Sequence, residues 1–210
     1  MNFIGFYNYT VILTYISLVS SLIGIKCAYE GKFTVAILCL AASGICDMFD
    51  GAVARSKKNR TADEKNFGIQ IDSLCDLICF GVFPAVFLYF IETDTILGFA
   101  ILACYVLCAL IRLAFFNVLE TKRQKSESGC AKGYRGLPVT SISIILPIVY
   151  FFDVLFIPSN VMHVVYYIVP FLVGLLFITD FFVPKLDVSK LFRKTCESEE
   201  EKEEVVCYEE

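Results

Sequence analysis

The sequence predicts an all-α integral membrane protein, a bundle of six transmembrane helices with both termini in the cytoplasm. Three observations lead there. The 210 residues are 57% hydrophobic and only 19% charged, with a mean hydropathy of +0.69. The apolar residues gather into six runs of roughly 20, the length that crosses about 30 Å of hydrocarbon at 1.5 Å per residue. The basic residues collect in the links of one side only. A soluble domain of this length would not carry apolar runs so long and so frequent, and no nucleic-acid partner is expected.

The runs are Asn8–Ile25, Phe33–Arg55, Phe67–Ile91, Thr95–Leu119, Leu137–Ile157 and Val161–Val183. The first is too long for the apolar part of a signal peptide, and no basic stretch precedes it, so no cleavable leader is expected. Arg55, Lys57, Lys58, Arg60 and Lys65 lie at the link between the second and third runs. Lys122, Arg123, Lys125, Lys132 and Arg135 lie between the fourth and fifth. Lys185, Lys190, Arg193, Lys194 and Lys202 follow the sixth. These make fifteen basic residues on one side against two, Lys26 and Lys32, on the other. The excess of Lys and Arg in cytoplasmic loops places these links, and both termini, inside a cell membrane. Residues 1–186 then form one membrane domain, with no internal repeat, and 187–210 an acidic cytoplasmic tail. Eight of the 22 acids fall within Cys196–Glu210, which reads as a solvated, disordered segment. The ten cysteines lie mostly within the runs and form no CxxC pair, so they read as small buried hydrophobes.

Four carboxylates interrupt the apolar pattern: Asp47, Asp50, Asp72 and Asp76. An intramembrane acid is costly and marks a functional site by default. At about 100° per residue, Asp47, Asp50, Gly51, Ala54 and Arg55 share one helical face. Gly68, Asp72 and Asp76 form a second stripe at four-residue intervals. The second and third spans run antiparallel, so Asp50 and Asp72 each lie about 7.5 Å in from the cytoplasmic interface, and Asp47 and Asp76 about 12–13.5 Å in. The two stripes match in depth and can face each other across a short gap. Arg112 is the sole basic side chain within a span, so ion pairing cannot satisfy four acids. Hard divalent cations can, and an all-oxygen set without His or Cys points to Mg²⁺ or Mn²⁺. Two such ions form a clamp suited to displacement at phosphorus. Gly51 and Ala54 leave room for a ligand near the backbone, and Arg55, with Lys57 and Lys58, puts positive charge where a phosphate would dock.

Asp47-x-x-Asp50-Gly51-x-x-Ala54-Arg55 followed by Gly68-x-x-x-Asp72-x-x-x-Asp76 resembles the signature of the CDP-alcohol phosphatidyltransferases, membrane enzymes of phospholipid synthesis. All eight residues are present in order. The sequence departs in having twelve residues between Arg55 and Gly68, about one helical turn more than usual. The added residues are polar and are expected to lengthen the loop. The resemblance implies that Asp47, Asp50, Asp72 and Asp76 bind metal, that Asp76 is also the general base, and that Asp50, Gly51, Ala54, Arg55 and Gly68 bind the nucleotide. It further implies a homodimer.

Asp72-Ser73-Leu74-Cys75-Asp76, Phe80-Gly81, Pro84-Ala85, Arg112-Leu113-Ala114 with Asn117, and Gly136-Leu137-Pro138 are similar to the phosphatidylserine synthase branch. That similarity implies CDP-diacylglycerol as donor, L-serine as acceptor and CMP as leaving product. Phe115-Phe116 stands where a second Arg is common, and Ser17 follows Thr14 where the branch often has Asn. Arg112 could hold the serine carboxylate or a lipid phosphate, or bridge to Asp72 or Asp50. Lys132 and Arg135 could meet an anionic headgroup. Glycerol 3-phosphate and inositol phosphate are rival acceptors, but both call for more basic side chains at the depth of the site. An archaeal-type lipid donor is a further alternative. A divalent-cation transporter is the non-enzyme alternative, against which all four acids cluster in the inner half of the membrane. Pro84 is expected to kink its span, and His163, Asp153 and Asp180 read as structural or interfacial residues.

Overall fold

In the computed structural model, the described residues are 5, 9–56, 61–91, 93–125, 133–156, 159–180 and 182–184. A 3₁₀ turn at Tyr9–Val11 leads into α1 (Ile12–Tyr29), and α2 (Phe33–Ser56) folds straight back along it. Gly31 makes that reversal possible. Its φ of 75° lies in the left-handed region, and the N–H groups of Gly31 and Lys32 close the helix end on the carbonyls of Ala28 and Cys27 at 3.0 and 2.8 Å. Beside the turn, Lys32 Nζ donates to Glu30 Oε2 at 2.7 Å. That contact holds the Glu30 carboxyl below its ordinary pKa and raises that of Lys32.

The α1–α2 seam is built from small and hydroxylated residues, as expected where lipid gives apolar side chains no reason to prefer a helix over the bilayer. Thr14, Ser17, Ser21, Gly24 and Ala28 are the buried residues of α1. The Ser21 and Ser43 hydroxyls meet at 2.9 Å, Ser17 Oγ donates to the Ser43 carbonyl at 3.3 Å, and Ser43 Oγ reaches the Ser17 carbonyl at 3.1 Å. Each of these three hydroxyls thereby has a partner, which hydrocarbon would not provide.

The third apolar run is a helix in three parts: α3 (Ala62–Asp76), a π-helical stretch over Leu77–Val82, and α4 (Phe83–Ile91). Its start corrects a sequence expectation. The added residues after Arg55 are not all loop, because Thr61 caps a helix that begins at Ala62. Thr61 Oγ1 accepts from the Glu64 N–H at 3.2 Å, and the Thr61 N–H donates to Glu64 Oε2 at 3.1 Å. Then come α5 (Ile96–Lys125), α6 (Ile142–Phe156) and α7 (Ser159–Ile178), with a 3₁₀ turn at Val139–Ser141 before α6. The all-α expectation also needs one addition. β1 (Gly133–Arg135) pairs antiparallel with β2 (Phe182–Pro184), with Tyr134 opposite Val183. These short segments lie outside the helices, and only a long-range pairing reveals them.

Among the described residues, four helical segments are long and apolar enough to cross a membrane: Ile12–Tyr29, Phe33–Gly51, Asp63–Ile91 and Ile96–Thr121. Val139–Leu155 and His163–Ile178 are shorter apolar helical segments. The core is aromatic, with Phe80, Phe83, Phe87, Tyr105, Tyr166 and Phe177 essentially inaccessible. Phe87 makes edge contacts with Phe33 and Tyr150 at 5.7 and 5.9 Å between ring centres. The outward faces carry exposed Leu, Ile and Phe such as Leu107, Phe151 and Phe171, which lipid would cover.

Candidate metal and phosphoryl-transfer site

α1 packs against both α2 and α3, which scarcely touch each other at the backbone. The space left between α2 and α3 is where the acid stripes converge. Carboxylate oxygens of Asp47 and Asp50 on α2 and of Asp72 on α3 all lie within 4.8 Å of one another. Asp76, one turn deeper, lies beside Asp47, and Asp72 lies beside Asp50. The two acid stripes expected from helical spacing therefore do converge. Asp50 is the most enclosed of the four, 9% exposed, and the others are half-buried.

Three carboxylates this close repel one another in a medium of low dielectric unless a cation lies among them. The donor set fits one. All the donors are oxygens, and ligands on opposite sides of a hard cation with metal–oxygen distances of 2.0–2.6 Å stand about 4–5 Å apart. Asp47, Asp50 and Asp72 are the residues that could hold such an ion.

Thr14 adds a partner. Its Oγ1 donates to Asp50 Oδ2 at 3.4 Å, so α1 steadies the most buried acid from behind. Ser73, next to Asp72, donates to Asn117 Oδ1 at 2.6 Å, and Asn117 Nδ2 reaches Gln70 Oε1 at 3.5 Å. This tie fixes α3 to α5. Neither contact follows from helical spacing, because each joins residues far apart in sequence. A hydroxyl at Thr14 facing the depth of Asp50 was the available signal.

Arg112 does not bridge to the acids. Its Nη2 donates to the Gly136 carbonyl at 3.4 Å, its charge is felt by Asp180 at the end of α7, and it forms no ion pair with Asp72 or Asp50. Gly136 has φ of 71°, and a Cβ there would stand 2.9 Å from the Thr179 carbonyl oxygen and 3.4 Å from Arg112 Nη1. The turn into α6 therefore needs a glycine to approach this guanidinium. Gly51 and Gly68 are half-buried on the two acid-bearing helices. The side chains of Ala54, Arg55 and Arg135, all of Lys132, and the acidic tail lie outside the described residues. His163 is exposed on α7. Asp153 accepts from the Tyr166 hydroxyl at 2.7 Å. The seven described cysteines are free thiols.

The chain has relatives among known proteins. The chain is 39% identical over 110 residues to a CDP-diacylglycerol–serine O-phosphatidyltransferase of Saccharomyces cerevisiae, a match covering 51% of this chain and 38% of that protein. It is 31% identical over 172 residues to an enzyme of the same name from Methanocaldococcus jannaschii, covering 81% and 72%. It is 32% identical over 129 residues to an archaetidylserine synthase of Methanothermobacter thermautotrophicus, covering 61% and 51%. The chain thus spans about a third to a half of the length of several of these relatives. No solved structure matches. The sequence model for CDP-alcohol phosphatidyltransferase matches residues 7–174, which takes in every acid of the site, and the chain belongs to that family.

Proposed function

We propose that the chain transfers a phosphatidyl group from CDP-diacylglycerol to L-serine, forming phosphatidylserine and releasing CMP. The observation that carries this reading is the convergence of Asp47, Asp50 and Asp72 from two helices onto one all-oxygen cluster, with Asp76 beside Asp47. Serine is favoured because several of the relatives are named for it, and because Arg112 is the sole basic residue at the depth of the acids.

Asp47, Asp50, Asp72 and Asp76 would hold two Mg²⁺ or Mn²⁺ ions. Bound there, such ions neutralise a diphosphate and favour displacement at phosphorus. Gly51, Ala54, Arg55 and Gly68, with Asp50, form the nucleotide pocket. Asp76 takes the proton from the serine hydroxyl. The serine oxygen then bonds to the lipid-side phosphorus, and the bond from that phosphorus to the bridging oxygen breaks. CMP departs with the electron pair. Arg112, Lys132 and Arg135 serve the serine carboxylate or the lipid phosphate. In this reading all six apolar runs cross a cell membrane, both termini and the site face the cytoplasm, and the protein works as a homodimer among membrane lipids.

The test is CMP release by protein purified in detergent with Mn²⁺ or Mg²⁺. Release that requires serine supports the reading, and equal release with glycerol 3-phosphate overturns the acceptor assignment. The archaetidylserine synthase relative makes an ether-lipid donor the second reading, and running ester and ether CDP-lipids side by side separates the two.

A further inference from the structure

The π-helical stretch begins at the residue after Asp76, and its cause can be read from three residues. In an unbroken α-helix the Phe80 carbonyl would accept from the N–H of residue 84. Residue 84 is Pro, which has none and whose ring crowds that carbonyl. The helix responds by widening: the Leu77 N–H still donates four residues back to Ser73, but the Phe83 N–H donates five back, to Ile78. The Phe80 carbonyl is instead met from α5, where the Tyr105 hydroxyl donates to it at 2.6 Å. Tyr105 and Phe80 are both essentially inaccessible, at 1% and 0%. The tyrosine is backed by α7: a Cβ on Gly174 would lie 3.4 Å from Tyr105 Cα, and the Phe177 ring centre is 5.6 Å away. At Gly81 the π stretch comes so close to α5 that an added Cβ would sit 3.5 Å from Ala109.

We infer that Tyr105 is a positioning residue for Asp76: its hydroxyl, by binding the carbonyl that an α register would aim at the missing N–H of Pro84, pins the π stretch to α5 and sets where Asp76 stands against Asp47. Isolated π turns inside α-helices recur at functional sites, and this one directly follows an acid of the site. The inference deepens the proposed function, on which it depends for the role of Asp76.

Tyr105→Phe removes the hydroxyl and keeps the ring against Phe177. In the full chain, purified in detergent, it is expected to speed hydrogen exchange across 77–84 and to lower kcat for CMP release at least tenfold, with KM for the CDP-lipid within twofold of the parent. Adding Pro84→Ala returns an N–H to the Phe80 carbonyl within the helix. The double variant Y105F/P84A is expected to regain thermal stability without regaining kcat, because the helix then runs on in the wrong register. A merely structural hydrogen bond would restore both together, and that result overturns the inference, as does an unchanged kcat or unchanged exchange in Tyr105→Phe. Should the parent release no CMP with any acceptor, the functional reading fails, and exchange across 77–84 alone decides whether Tyr105 holds the π stretch.

Discussion

Replacing Asp72 by Asn tests whether α2 and α3 share a cation. The amide keeps the size of the side chain and one oxygen but removes the charge. Asp72 is the α3 member of a trio whose oxygens lie within 4.8 Å of one another, so its loss leaves that trio with two carboxylates, both on α2, and Asp76 as the remaining site acid of α3. Removing a group that only supports a ligand costs roughly 10–100-fold in metal affinity. Losing a ligand itself should cost at least about 100-fold, or about 2.8 kcal/mol at 1.4 kcal/mol per decade. Free Mn²⁺ measured by electron paramagnetic resonance during titration of the purified chain reads this directly and needs no turnover. Asp47→Asn should weaken binding comparably, and because both act on one ion the double variant should show a coupling of at least about 0.5 kcal/mol. An Asp72→Asn affinity within threefold of the parent, or strictly additive losses, would mean that Asp72 and Asp47 do not share an ion.

Asp76→Asn should abolish CMP release while CDP-lipid binding, followed by isothermal calorimetry, stays within about threefold; retained turnover removes the base assignment. Stripping divalent ions with a chelator should stop CMP release, and added Mn²⁺ should restore it. Gly24→Ala would set a methyl 2.7 Å from Phe83 Cε1 and 3.0 Å from Cys39 Cβ. Overpacking of that kind costs about 1–3 kcal/mol, so the melting temperature in detergent should fall by roughly 2–4 °C for each kcal/mol. An unchanged melting temperature would show that α1 can retreat from the Phe83 ring. Thr61→Ala, which removes the side-chain half of the capping box, should cost about 1 kcal/mol and show as faster hydrogen exchange in the first turn of α3.

The acid cluster was legible because helix geometry is nearly rigid. Spacings of three and four residues fix a face, 1.5 Å per residue fixes depth, and the antiparallel run of two spans does the rest for Asp47, Asp50, Asp72 and Asp76. The start of α3 is equally local: Thr61-Ala62-Asp63-Glu64 is a capping box, whose polar composition is shared by loops. Other features lie beyond local pattern. Nothing in Leu77–Val82 distinguishes a π from an α register, since the register depends on Tyr105 arriving from another helix. Pro84 announced a distortion without saying which. The ribbon joins Tyr134 to Val183 across two helices, and three-residue strands carry too little pattern to be found alone. Arg112 offered a choice between the acids and a phosphate or carboxylate. The structure turns it instead toward Gly136 and Asp180, because Gly136 lets the turn into α6 close over the guanidinium.

The ribbon carries a consequence for membrane insertion. β1 comes just before α6 and β2 just after α7, and the two are hydrogen-bonded side by side. Both strands must therefore emerge into the same aqueous compartment, so the chain between them makes an even number of passages. α6 and α7 therefore cannot adopt opposite fates: they traverse the bilayer as a hairpin or stay out of it together. The ribbon also cannot zip until α7 has left the translocation machinery, so this clasp closes only after both helices have been made.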